Sequence, residues 1–478
     1  MKIRFGLVLT LATGFGLSAC AGGASSGGST PAPAVSGTGG QLLQQGERPR
    51  QTEETRAAQR ALDQAESTEN EAEAKALYEE ALTNAQAAIA ADSTNPLGHL
   101  QAGIAAIGLG RYREADAHLD RAEELRPIYQ LETDGMRERA WINLYQEAAP
   151  LVNTGDYEGA AAIFEDANAI YDKRPEVMIT LGQIYAQLRQ TDKSLENLNR
   201  AEALINDPDV AMNMDSATVA GWQEQAADIP LTKASVLAAA GRFEEAVGLF
   251  EELVADNPTD ISLKRNLAAI LIQTGDTVRA FEVYDDLMAQ PGLSSQDYYA
   301  IGVGFYQGSA YERAAEAFKG AADHSPKDRD ALEMWTRSLQ IDSAYAAVPE
   351  PAERWIELDP NNQNAYLILA QAVNQEGDDA RASDLVRTIE ALEVTVNDLQ
   401  LVRMADGGAR VTGSITNKSL AQGATATMNF TFFDARGNAV GTQTQRISLG
   451  AQGMAETFEV VFTSSSAVNG YGYTLTTS

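Results

Sequence analysis

Cysteine is almost absent: the 478-residue chain has one, Cys20. A single cysteine excludes an internal disulfide and any cysteine-based metal cluster. Histidine is nearly as scarce, at His99, His118 and His324. No histidine–carboxylate set has the spacing of a metal site or a triad, so each histidine reads as isolated and structural. Phosphate-cradling glycine loops, calcium loops and Gly-x-Ser-x-Gly elbows are missing. No cofactor or metal is implied, and catalysis is the weakest functional reading. Basic residues are also few. The 36 Lys and Arg face 67 Asp and Glu, a formal charge of −31, which disfavours nucleic-acid phosphates and anionic surfaces. A solvated acidic face accounts for that charge; the partners it favours are basic or extended protein segments.

Long apolar runs are missing as well, with one short exception at the amino end. Lys2 and Arg4 precede an apolar stretch, Phe5 to Leu17, too short to span a bilayer. Small residues follow, so residues 1–19 read as a cleavable secretory signal. Leu17-Ser18-Ala19-Cys20 resembles the bacterial lipobox, and the lone cysteine falls where that motif needs it. The resemblance implies cleavage after Ala19 and lipidation of Cys20, with two or three acyl chains needed for a firm hold. Ala21 at the next position resembles the pattern sent to the outer membrane of diderm bacteria. Residues 20–48 are expected to be a tether. The stretch from Ala21 to Gly46 is uncharged and rich in Gly, Ser, Ala and Pro, with a reach of about 25–30 Å.

What the chain has in abundance is alanine, placed with a period. Gly110 and Ala115, Gly155 and Ala160, Gly241 and Ala246, Gly275 and Ala280, and Gly377 and Ala382 share one five-residue spacing. A large residue follows four positions after the alanine (Leu119, Phe164, Phe250 and Tyr284, and Phe318 after Ala314), then a small or aliphatic one after three more. Pro326 and Pro360 are 34 residues apart. Such spacing predicts antiparallel helix pairs, each broken by proline and closed by stacking on its neighbours. The four tryptophans, Trp141, Trp222, Trp335 and Trp355, read as core. Residues 95–127, with Gly103, Gly110, Tyr112, Ala115, Leu119, Ala122 and Pro127 in register, resemble the tetratricopeptide repeat (TPR). About eight units begin near 96, 141, 175, 227, 261, 295, 329 and 363, after a divergent helical pair. Arg189 and Ser343 stand where other units have glycine, and spacers at 128–140 and 209–226 read as helical extensions. The resemblance implies a right-handed α-solenoid over 49–393 that binds on the face lined by each first helix. Candidates on that face are Ile179, Gln183, Arg265, Gln273, Tyr299, Val303, Tyr306, Arg337, Gln340, Gln371 and Asn374, with Asp330 and Glu333 beside them. Tyr299 and Tyr306 are open to two readings, groove or packing.

From Val394 the period changes to alternation, at 394–396, 410–415, 427–432, 458–462 and 471–475, with turn clusters between. This predicts a small all-β sandwich over 394–478. Val411 to Asn417, then Phe430-Thr-Phe432-Phe433-Asp434 and Gly437, resemble the FxLYD family of immunoglobulin-like envelope modules. That segment has five basic and five acidic residues, so the whole negative excess lies on 47–393. The sequence therefore reads as mostly α, a TPR solenoid with a small β module behind it. Its expected role is a lipid-anchored, non-enzymatic scaffold for protein partners on the periplasmic face of the outer membrane. Capture of an extended glycan or peptide in the groove is the alternative.

Overall fold

The computed structural model describes residues 43–404 and 407–478. The signal, Cys20 and the tether up to residue 42 lie outside the described residues. The chain divides into two compact units, Met1–Leu249 and Phe250–Ser478.

The first unit stacks α1 (Glu53–Ser67) on α2 (Glu71–Ala91) and α3 (Pro96–Gly108) on α4 (Tyr112–Leu125). It continues with α5 (Gln130–Thr154) on α6 (Tyr157–Ile170) and α7 (Pro175–Gln187) on α8 (Thr191–Ile205). Short α9 (Pro208–Asn213) and α10 (Ser216–Ala226) precede α11 (Ile229–Ala239), and α12 (Phe243–Asp256) spans the division. Pairing follows from size matching. A Cβ on Gly103 would lie 2.5 Å from Leu119, and one on Gly182 would lie 2.6 Å from Leu198, so the facing backbones approach only because these positions are bare. The prolines act at both ends of the repeat: Pro96, Pro175 and Pro208 each begin a helix at its first turn, where the missing N–H costs nothing. The 128–140 spacer contributes a 3₁₀ turn at Pro127–Tyr129 and the first turns of the 25-residue α5. Arg137 holds that extension against α4: its buried guanidinium meets Asp116, Asp120 and Glu123.

The second unit continues with α13 (Ile261–Thr274) and α14 (Thr277–Met288), then α15 (Ser295–Gln307) and α16 (Tyr311–His324). Next come α17 (Arg329–Ile341) with α18 (Pro349–Leu358), and α19 (Gln363–Gln375) with α20 (Asp379–Ala391). One apolar core runs through these pairs, from Ala268 and Tyr284 through Phe305, Phe318 and Trp335 to Trp355 and Val373. No pair encloses a core alone, which is the energetic signature of a solenoid. Trp141, Trp222, Trp335 and Trp355 are all buried. Both units thus have the TPR-like α-solenoid construction, and a small β region follows the last pair. Among the described residues, no helix is long and apolar enough to cross a membrane.

That region has strands β1 (Val394–Arg403), β2 (Ala409–Asn417), β3 (Thr425–Phe433), β4 (Ala439–Ser448), β5 (Ala455–Phe462) and β6 (Gly470–Thr477). They form two antiparallel sheets, ordered β1-β2-β5 and β4-β3-β6. Val396, Val411, Ile415 and Val460 from one sheet share a core with Met428, Phe430, Phe432 and Tyr471 from the other. The β4 strand has no counterpart in the alternation read above. It is an edge strand carrying Gly441, Gln443 and Gln445 opposite Phe432, Phe430 and Met428, and of that row only Ile447, opposite Ala426, is a buried apolar residue.

Candidate functional site

The first helix of each pair in the second unit presents a row of side chains that the core does not take up. Neighbouring rows touch: Arg265 of α13 pairs with Asp297 of α15 at 2.7 Å, and Gln340 of α17 donates to Gln371 of α19 at 2.7 Å. Gln273, Gln371 and Asn374 are exposed, and Gln340 and Arg265 are half-buried. This face is a ladder of amide side chains that offer both donors and acceptors.

The aromatic members of the row are more deeply engaged. Tyr299 is half-buried, with its ring edge-on to Phe318 at 5.3 Å, and Tyr306 makes the same contact with Tyr311. Both tyrosines and Val303 pack against the core cluster. Burial, reinforced by Asp330, Asp328 and Glu333, pushes the Tyr299 hydroxyl well above the usual phenol range. The packing reading therefore holds for their rings.

In the first unit the expected face is partly covered. Ile179 is buried against Trp222 and Ile229, so it is not a groove residue. Trp222 comes from the 209–226 insertion, as part of α10, and its indole N–H donates to Glu176 at 3.0 Å. An aliphatic side chain on that face is what an inserted tryptophan would cover. Gln183, one turn on, stays half-exposed. A cleft of about 430 Å³ elsewhere in this unit, between α6 and α8 over Leu181 and Tyr185, is lined by opposite charges. Glu165 there takes Arg113, Lys193 and the Tyr185 hydroxyl.

A second arrangement, at the junction of α17 with the β region, was not legible beforehand. Asp328 caps α17, accepting from the N–H groups of Asp330 and Ala331. Arg329 is buried; it donates to Asp359 at 2.8 Å and 3.1 Å, to Asp330 at 3.0 Å and to Glu333. Its guanidinium lies 5.4 Å from the Trp355 ring centroid. Strand β6 completes the set: the Tyr473 hydroxyl donates to Asp359 at 2.7 Å and accepts from the Asn361 N–H. Arg403 of β1 reaches Asp328 at 3.2 Å. A Cβ on Gly470 would sit 2.0 Å from the Lys327 carbonyl, so the strand lies directly on the turn before α17. Asp330 and Glu333 thus face Arg329, not a free groove. Burial opposes ionisation of Glu333, but Arg329 and Arg337 outweigh it and hold the carboxyl below its usual range. Arg337, a groove candidate, also lies over Trp355 at 5.7 Å. The sequence signal was Asp328-Arg329-Asp330, three adjacent charges before an apolar helix, but nothing in it named Tyr473 as the partner.

The histidines need one correction. His99 and His118 are not isolated: their rings lie 5.7 Å apart between α3 and α4. Burial holds both below the usual imidazole range, so the pair packs as neutral rings. The His324 ring lies tilted against Tyr298, 4.9 Å between centroids.

Comparison with known proteins adds the following. The family model described as "Tetratricopeptide repeat" matches residues 151–213 and 237–300, together about a quarter of the chain. A search of curated proteins finds no match. Among solved structures, the C-terminal part of a TPR repeat-containing protein from Cytophaga hutchinsonii is 16% identical at a TM-score of 0.41, covering 52% of this chain and 95% of that one. A tetratricopeptide repeat protein from Parabacteroides merdae is 16% identical at 0.27, covering 59% and 99%. YrrB, described as a TPR protein with an unusual peptide-binding site, is 18% identical at 0.30, covering 41% and 89%.

Proposed function

We propose that this chain is a non-enzymatic, lipid-anchored scaffold of the bacterial cell envelope that gathers protein partners on its first-helix face. The observation carrying this reading is the amide ladder of the second unit. Gln273 of α13, Gln340 of α17, and Gln371 and Asn374 of α19 are left over when the packing positions of those helices are filled. Side chains of this kind suit the main chain of an extended segment, whose N–H and C=O groups they match. Matched tetratricopeptide segments support an interaction role. The ladder has no exposed aromatic platform of the kind that stacks on sugars, so a protein segment is favoured over a glycan.

The anchor belongs to the same proposal. A lone cysteine directly after Leu17-Ser18-Ala19 supports lipidation at Cys20, and Ala21 supports the periplasmic face of the outer membrane. The FxLYD-like assignment of the β region is also proposed. Phe430 and Phe432 are fully buried, and Asp434 ties its own turn by accepting from the Arg436 and Asn438 N–H groups.

Crosslinking in cells followed by pull-down of the intact protein tests the scaffold. Recovery of a specific protein that is lost with Gln340→Ala and Gln371→Ala together is the expected result. Specific retention on a glycan column with no protein recovered would favour the other ligand class. Cys20→Ser should move the protein from the membrane fraction to the soluble fraction; continued membrane fractionation would defeat the anchor.

A further inference from the structure

We propose that the edge of the first unit formed by residues 44–50 and Arg126–Leu131 rests on the phospholipid surface that carries the anchor. The proposal builds on lipidation of Cys20 and adds which edge of the protein meets the bilayer.

The described chain does not enter the fold at α1. It is first pinned at the turn between α4 and α5. The Glu47 N–H donates to the Leu125 carbonyl at 2.7 Å, and the Ile128 N–H donates to the Gln44 carbonyl at 3.2 Å. Arg126 closes over the same segment, donating to the carbonyls of Gln45 at 2.8 Å and Glu47 at 3.1 Å. Gly46 has φ +61°, and a Cβ there would lie 2.4 Å from the Leu125 carbonyl. This position therefore needs glycine on two counts. Any tether from Cys20 thus meets the folded protein at this turn.

Length then matters. Twenty-three residues separate Cys20 from Gln44. The reach expected from that composition is on the order of 25 Å. The 25-residue α5, which starts at this turn, extends about 37 Å from it. The turn is held within tether reach of the lipid, and the far end of α5 is not drawn to it.

The chemistry of the edge fits headgroups. Leu131 is 47% exposed, Ile128 beside it is half-exposed, and the Arg126 guanidinium lies 5.4 Å from the Tyr129 ring centroid. Aliphatic, aromatic and arginine side chains together are the set that partitions into the headgroup region. The charge is also locally reversed. Residues 44–50 and 126–131 carry Arg48, Arg50 and Arg126 against Glu47, with Asp92 paired to Arg50 at 2.5 Å, in a chain of −31. Anionic lipid repels the acidic bulk and tolerates this edge.

The test uses the full lipidated chain. With Cys20 acylated, Leu131→Cys supplies the one free thiol for a polarity-sensitive fluorophore. Asn153→Cys supplies the control, 22 residues and about 33 Å along the same helix. After reconstitution into phosphatidylethanolamine/phosphatidylglycerol vesicles, emission should rise several-fold at position 131 and stay unchanged at 153. Adding Gly46→Val, which dislodges the pinned segment, should abolish the rise at 131 while the protein still floats with the vesicles. A floating protein whose label at 131 stays as water-exposed as that at 153, or whose two labels respond equally, overturns the proposal and leaves lipidation standing. Protein that does not float at all overturns lipidation, and the proposed edge with it.

Discussion

From α3 onward, the residue that turns each first helix into its second is held at positive φ. It is glycine at 110, 155, 241, 275 and 377, and Arg189, Ser309 and Ser343 in the remaining pairs. From 241 to 377 these positions recur every 34 residues, so the backbone keeps the period even where glycine is lost. A side chain there costs roughly 1–2 kcal/mol, and glycine gives back about 0.5–1 kcal/mol in chain entropy. Arg189→Gly should therefore stabilise the protein by about 0.5–1 kcal/mol, read as a higher midpoint in urea. The opposite case is Gly302, where a Cβ would lie 2.8 Å from the Phe318 ring. Gly302→Leu should destabilise by about 1–3 kcal/mol through overpacking; an unchanged midpoint would show that α15 and α16 do not meet there. The Gly302–Phe318 match was legible because small and large residues recur at fixed spacing. The burial of Ile179 was not, because the tryptophan that covers it lies 43 residues away in an insertion without the period.

At the scale of elements, α17 and strands β1 and β6 form one buried ionic joint. Four carboxylates (Asp328, Asp330, Glu333, Asp359) face three arginines (Arg329, Arg337, Arg403). The excess acid is most costly at Asp328, which burial, reinforced by Asp330, pushes up to about 6. A carboxyl whose folded pKa lies above its unfolded value of about 3.9 binds its proton more tightly when folded. The stability it contributes is full below about pH 4 and is lost as pH rises through about 6. Asp328→Asn keeps the helix cap, since asparagine caps as well as aspartate, and removes the excess charge. It should stabilise the protein by about 1–3 kcal/mol near pH 7.5 and have little effect near pH 4. Thermal melts at both pH values check this; equal effects at both would mean that Asp328 titrates normally. Sequence placed strands at five of the six positions of the β region. The missed β4 is an edge strand whose inward row is Gly441, Gln443 and Gln445 before its one buried apolar residue, Ile447, and apolar alternation has little purchase on it.

For the molecule as a whole, the charge of −31 acts as self-repulsion across surfaces rich in exposed carboxylates. Most of the ion pairs are between exposed side chains and contribute little individually. Salt should therefore stabilise overall. Raising it from about 0.01 M to about 0.3 M shortens the screening length from about 30 Å to below 10 Å, and the melting temperature should rise. A fall would mean that the ion pairs bridging helix pairs, such as Arg265–Asp297, outweigh the repulsion.

The sequence by itself determined the helix pairs, their period, the turn positions and the change to strands at Val394. Each of these is set by contacts close along the chain or by spacing that repeats. The lone cysteine after a short apolar run is likewise a purely local pattern. The tertiary structure alone decided which first-helix residues stay open. Gln340 and Gln371 do, Ile179 does not, and Asp330 and Glu333 are taken by Arg329. It also decided that Tyr473 would meet Asp359 across 114 residues. Such contacts have no period and no local pattern. They depend on which surfaces meet once the repeats have stacked, and on the cost of leaving a buried charge without a partner.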